Sequence, residues 1–290
     1  MTPRTDSGWL RRRIGRELRT LREATPGPDG RKITTTEAAR ELGCTQPKIS
    51  SIEAGKHRLQ WRDVRDLLRF YGASDIETER LVKWAKRSNE PIWWAPFADV
   101  VEDWFADLVG AEGEAEREIT YAHGVLPGLL QTESYIRALT DRSPMVAPEQ
   151  RELVVGLRLE RQHRLSEDEP LELVALIEES VLSRPVGSPE VMREQLEHLA
   201  SMSKRDNVVI QVLPTAAGPH AAVDGAFTLL EFAEFDPAVY VQQHPAIGAC
   251  YSDDQRLVDT FTMIAKEVRK LASSPRESLS LIRDRADEFS

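Results

Sequence analysis

The chain has 290 residues, 41% of them apolar, enough to bury two ordinary cores. Its net charge of −10 is unevenly spread: residues 1–90 hold 20 Lys and Arg against 13 Asp and Glu, a net of +7, leaving 18 against 35, a net of −17, for residues 91–290. There is no apolar run of about 18 residues, the opening MTPRTDSGWLRRR lacks an apolar core, and Cys44 and Cys250 stand one in each half, so we expect no membrane span, no signal peptide, no disulfide framework and a cytoplasmic protein.

Thr35 to Gly55, TTEAARELGCTQPKISSIEAG, carries the strongest local signal. A helix is predicted from about Thr35 to Leu42, with Ala38, Ala39 and Leu42 facing inward and Gly43 supplying the positive φ that ends it. Thr45 is expected to cap a second helix, and Pro47 is tolerated in that helix's first turn, where its missing N–H has no intrahelical partner. Ala39, Gly43, Ile49 and Ile52 form the core of this pair. Gln46, Pro47, Lys48, Ser50 and Ser51 are left facing outward, polar and without an acid among them, as a groove lined by base edges and phosphates requires. Lys56, His57 and Arg58 come next, placed for the phosphate backbone beside it. The same spacing also occurs in ordinary helical hairpins. The charge split favours DNA, because only a module that neutralises phosphates needs a basic surface on an otherwise acidic chain.

Leu10 to about Ala85 resembles the helix-turn-helix domain shared by lambdoid phage repressors and bacterial regulators of the xenobiotic-response-element type. The resemblance implies a five-helix, all-α domain on double-stranded DNA. Within it Gln46, Pro47 and Ser51, with Lys48 near them, would read bases; Thr45, Lys56 and Arg58 would contact phosphates; Arg22 and Glu53 would form a buried ion pair. The chain departs from that pattern at Thr35, where the family usually has Gln, and in the insertion PGPDGRK of Pro26 to Lys32, an additional basic loop.

Two further helices are predicted from the stripe Val64, Leu67, Leu68, Tyr71, ended by Gly72, and from Leu81, Val82 and Trp84. Residues 1–88 are therefore taken as the DNA-binding domain. PIWWAPF within residues 89–98 is read as an aromatic linker pinned onto the second domain, residues 99–290, which is expected to be a larger α+β unit. Strands are predicted at Leu171–Ile177, Val208–Leu213, Phe227–Phe232 and Val239–Gln242, with helices at Glu149–Leu165 and after the Ser188-Pro189 cap. The last 38 residues are predicted helical, with stripes Leu257, Phe261, Ile264, Val268, Leu271 and, after a Ser274 to Glu277 capping box, Leu279, Ile282, Ala286, Phe289. Such stripes usually pack on their own domain; a homodimer contact is the other use.

VLPGLLQTESYIRAL at Val125 to Leu139, then LRLERQHRL, EESVL, VMREQLEHL, NVVIQVLP, Gly218-Pro219-His220 and AFTLLEF resemble, in that order, the DUF5753 domain found C-terminal to the helix-turn-helix in a large set of actinobacterial, antitoxin-like regulators. The resemblance implies a regulator, often paired with a small protein encoded next door, and does not identify a ligand. No catalytic residue, metal or cofactor is expected: the six histidines are scattered, no nucleophile or phosphate-loop motif is present, and Asp253-Asp254 and Glu178-Glu179 are read as helix caps. The expected function is sequence-specific transcription regulation answering to a partner protein or effector. The alternative is an antitoxin-like protein that mainly sequesters its small partner and regulates its own gene.

Overall fold

The computed structural model describes residues 7–27, 30–232, 238–244 and 248–289, and the chain divides into two compact units, Thr2–Ala95 and Pro96–Ser290. The division falls inside the stretch read as a linker, with Trp93 and Trp94 grouped in the first unit and Phe97 in the second, where it lies against Gly156.

The first unit is all-α among its described residues: α1 Ser7–Ala24, α2 Thr35–Glu41, α3 Gln46–Glu53, α4 Trp61–Phe70 and α5 Asp75–Arg87. α1 packs on α3, α4 and α5, and the residues buried among these helices are Trp9, Leu10, Ile14 and Leu18 of α1, Ile49 and Ile52 of α3, Val64, Leu67 and Leu68 of α4, and Leu81 and Trp84 of α5. Capping boxes open two of these helices, Thr34 with Glu37 at α2 and Ser74 with Glu77 at α5. Thr34 went unrecognised in the sequence because three threonines run together there.

The second unit is α+β, as expected, but its sheet is larger than the four strands predicted. Six strands, β1 Arg117–Ala122, β2 Glu172–Glu178, β3 Val208–Leu213, β4 Phe227–Glu231, β5 Val239–His244 and β6 Gly248–Ser252, lie in the order β3-β2-β1-β4-β5-β6. β1, β2 and β3 are parallel and β1, β4, β5 and β6 antiparallel. The unpredicted β1 is thus central. The helices are α6 Asp103–Glu114, α7 Glu133–Arg142, α8 Arg151–Gln162, α9 Glu179–Ser183, α10 Pro189–Met202, α11 Gln255–Leu271 and α12 Pro275–Asp287. The single helix predicted over Glu149–Leu165 is α8 flanked by one 3-10 turn at each end.

Tyr121, Val174, Leu176, Phe227 and Leu229 point to one face of the sheet, where Val258, Ala265 and Val268 of α11 bury against them and Leu257, Phe261 and Ile264 pack alongside. α12 buries Ile282 and Ala286, and Ser278 Oγ accepts a hydrogen bond from Val212 N at 2.8 Å, covering the open edge of β3. Most of both C-terminal stripes is therefore packed inside their own domain, while Leu271 at the end of the first stays 47% exposed. No described helix is long and apolar enough to cross a membrane.

The PGLLQT phrase owes its character to backbone satisfaction. Its loop runs buried past α8 and α10, and three glutamine amides take its carbonyls: Gln131 bonds Leu126 O at 2.7 Å, Gln162 bonds Gly128 O at 3.0 Å and Gln131 O at 2.7 Å, and Gln195 bonds Leu130 O at 2.7 Å. A buried loop without such partners would carry unpaired polar groups, each costing about 1 to 3 kcal/mol.

Candidate nucleic-acid interface

The turn between α2 and α3 is built as the spacing required. Gly43 takes φ +64°, and Cys44 N bonds Ala39 O at 2.8 Å, closing α2. Thr45 occupies the cap position of α3, but its side chain makes no capping hydrogen bond, contrary to the expectation. Pro47 lies in the first turn, and Ala39, Ile49 and Ile52 are buried behind the helix.

What holds α3 rigid is its contact with α1. A Cβ on Gly15 would lie 2.5 Å from Ile52 O and 2.7 Å from Glu53 O, and one on Gly55, itself at φ +67°, would lie 2.6 Å from Arg12 Cα. Backbones approach here to a distance only glycine permits. Beside this contact Arg22 forks onto Glu53, with Nε to Oε1 at 2.6 Å and Nη2 to Oε2 at 2.9 Å, while its Nη1 donates to Ile33 O at 2.8 Å. The hydrogen bonds to Glu53 hold the Arg22 guanidinium above its ordinary pKa, against the opposing effect of burial. The fork ties α1, the segment before α2, and α3 into one body.

Gln46 and Pro47 are exposed at the start of α3, and Ser51 is half-buried. The Gln46 amide nitrogen donates to Thr35 Oγ1 at 3.1 Å and Ser50 Oγ at 2.8 Å, which holds its side chain along the start of α3. Lys48 is engaged: its Nζ sits 2.7 Å from Asp63 Oδ2 on α4. The outward face is therefore not free of acid, since Asp63, 15 residues on, folds back to it. Lys56 and Arg58 are exposed, and Arg58 Nε donates to Asn89 Oδ1 at 2.9 Å. Asn89 in turn bonds Leu59 O at 2.8 Å, so this first residue of the expected linker belongs to the body of the first unit.

Sequence reading passed over a cationic group on α4 and α5. Arg62, Arg65 and Lys86 lie 5.2, 5.4 and 5.2 Å from the Trp61 ring. The signal was an indole at a helix start with basic residues one and four positions on. The insertion closes through a bridge between Pro26 and Lys32 with Gly30 at φ +76°, and exposes Arg31 and Lys32; Pro28 and Asp29 lie outside the described residues.

In the second unit two polar clusters stand apart. Tyr121 Oη donates to Glu178 Oε1 at 2.8 Å, and His220 Nε2 lies 2.9 Å from the same oxygen while Ala222 N donates to His220 Nδ1 at 3.3 Å. Both imidazole nitrogens thereby have a partner. Glu178 stands at the cap position of α9 but its side chain makes no capping hydrogen bond, and Glu179 accepts from Thr215 N and Arg285. Asp254 does cap α11, accepting from Arg256 N and Leu257 N. On the other face of β1, Glu118 is buried against Glu112 of α6 and Arg161 of α8, which grips Glu112 at 3.0 and 2.5 Å. Glu118 Oε2 has no hydrogen-bond partner among the described residues, and burial, reinforced by Glu112 and opposed by Arg161, pushes its carboxyl up to about 8. No described group of three or more His, Cys, Asp or Glu is placed to hold a metal ion.

Two short helices crossing at a glycine turn, the second with an exposed polar start and a buried apolar back on a basic domain, define a helix-turn-helix DNA-binding regulator. The family described as Helix-turn-helix domain matches residues 13–81. Residues 105–284 match the family described as Domain of unknown function (DUF5753), and the chain belongs to that family. No curated protein and no solved structure matches the chain.

Proposed function

We propose that the chain is a sequence-specific transcription regulator of the cytoplasm that lays the start of α3 in the major groove and answers, through its second unit, to a partner protein or effector. The observation that carries the reading is the exposed Gln46 and Pro47 directly in front of the buried Ile49 and Ile52, on a helix clamped by Gly15 and the Arg22 fork. In this reading Gln46, Pro47, Lys48 and Ser51 read bases, and Thr45, Lys56 and Arg58 bind phosphates. Two copies bind one operator, since a lone head spans few base pairs and paired recognition helices about 34 Å apart reach successive turns of the groove. The second unit performs no chemistry.

Selecting bound duplexes and footprinting the best of them tests this: two half-sites one helical turn apart are expected, and a single unrepeated site overturns the dimer. On the selected operator Gln46→Ala is expected to cost about 1 to 3 kcal/mol while leaving random DNA almost unaffected, because it removes a base contact. Arg58→Ala is expected to weaken both alike. Equal loss on both sequences in both variants would refute the docking.

The opposite charges of the two parts favour a further reading, in which the protein chiefly sequesters a small basic partner from a neighbouring gene, as an antitoxin does. An acidic body, net −17 over residues 91–290, repels DNA and suits such a partner. If the partner weakens operator binding, the operator must weaken partner binding by the same factor. Partner affinity measured with and without operator DNA is expected to differ; equal affinities would make sequestration the main act and regulation incidental to it.

A further inference from the structure

Lys48 is the third residue of α3 and Asp63 the third residue of α4, and their 2.7 Å ion pair joins the recognition helix to its neighbour. Both side chains are largely shielded, at 31% and 23% exposure, so the pair is firmer than a freely solvated one. Neighbouring cations do not compete for Asp63: Arg62 and Arg65 lie over the Trp61 ring, and Arg65 also bonds Asp66 at 2.8 Å. A lysine ammonium has three donors. With one given to Asp63, two remain, as many as the two acceptors, N7 and O6, that a guanine shows in the major groove.

We propose that Asp63 is a positioning residue for base recognition: it holds Lys48 so that the ammonium reads a guanine edge and is kept from binding phosphate without regard to sequence. The inference rests on α3 entering the major groove. Its physical basis is double. The carboxylate fixes the direction of a flexible side chain, and its negative charge close to the DNA opposes every complex in which Lys48 gains only a phosphate, which makes specificity by penalising the wrong partner.

The test uses the full chain with Asp63→Asn, which keeps size and shape. Freed from its counter-ion, Lys48 should neutralise one more phosphate on random duplex DNA. The slope of log affinity against log salt should steepen by about 0.9, which at 0.1 M salt is about an 8-fold gain. Operator affinity should stay unchanged, so discrimination falls by the same factor, and reselected sites should lose the guanine. Lys48→Met added to Asp63→Asn should abolish the gain. Asp63→Ser should behave as Asp63→Asn does, and tryptophan emission checks that both fold. An unchanged salt slope, an equal gain on operator and random DNA, or a gain that survives Lys48→Met would each overturn the inference. Gln46→Ala, run alongside, separates the two levels: if it still discriminates while Asp63→Asn is silent, only the role of Asp63 falls; if it does not, the docking itself falls and the inference with it.

Discussion

Replacing Gly15 with alanine is expected to destabilise the first unit by about 3 kcal/mol, although helix propensity alone predicts a gain of about 1 kcal/mol. The sign is decided by backbone contact. The added methyl would meet Ile52 O at 2.5 Å and Glu53 O at 2.7 Å, and neither carbonyl can turn aside without breaking the end of α3. Five of the six tryptophans, Trp9, Trp61, Trp84, Trp93 and Trp94, lie in this unit, so emission during denaturant unfolding of the whole chain reports on it. A lower midpoint, with operator binding weakened because α3 has lost its support, is expected; an unchanged or raised midpoint would show that the helices can separate at no cost.

The second large effect is one of pH. Above the ordinary carboxyl value of 4.5 the unfolded chain gives up the Glu118 proton, whereas the folded chain keeps it until about 8. Between those values the folded state binds more protons, so stability falls as pH rises, by about 1.4 kcal/mol per unit. Glu118→Gln, which stays neutral in both states, removes this dependence. From pH 5 to pH 8 the parent chain should lose about 3 kcal/mol relative to the variant, and parallel stability curves would mean that Glu118 is charged in its buried site. The same substitution leaves the first unit untouched, so operator binding at pH 7 serves as its control.

The DNA-binding unit was legible because its rules are local. Gly43, Pro47, Ile49 and Ile52 sit at spacings fixed by one or two helical turns, and the structure needs nothing distant to explain them. β2, β3, β4 and β5 were legible as runs of branched and aromatic residues. β1 was not, although in REITYA Ile119 and Tyr121 alternate with Glu118 and Thr120 as a strand does; the run is short and half polar where the strands that were read are nearly continuous apolar runs. Glu178 does stand at the cap position of α9, but the use of its side chain was not legible because its partners, Tyr121 and His220, stand 57 and 42 residues away. Asp63 escaped notice for the same reason. Lys48 looked free from sequence, since a helical pattern shows which way a side chain leaves its own helix and is silent about what another helix brings to meet it.

The central position of β1 also sets an order of events during synthesis. Every described contact of the DNA-binding unit is available once Ala95 has been made. β1 must wait for β2, with Arg117 meeting Glu172, and then for β4, whose Glu231 lies 114 residues beyond Arg117; the face of the sheet is covered only when α11, Gln255–Leu271, arrives. Pairings of such long range form slowly. A nascent chain therefore carries a finished, basic head well before its acidic body closes.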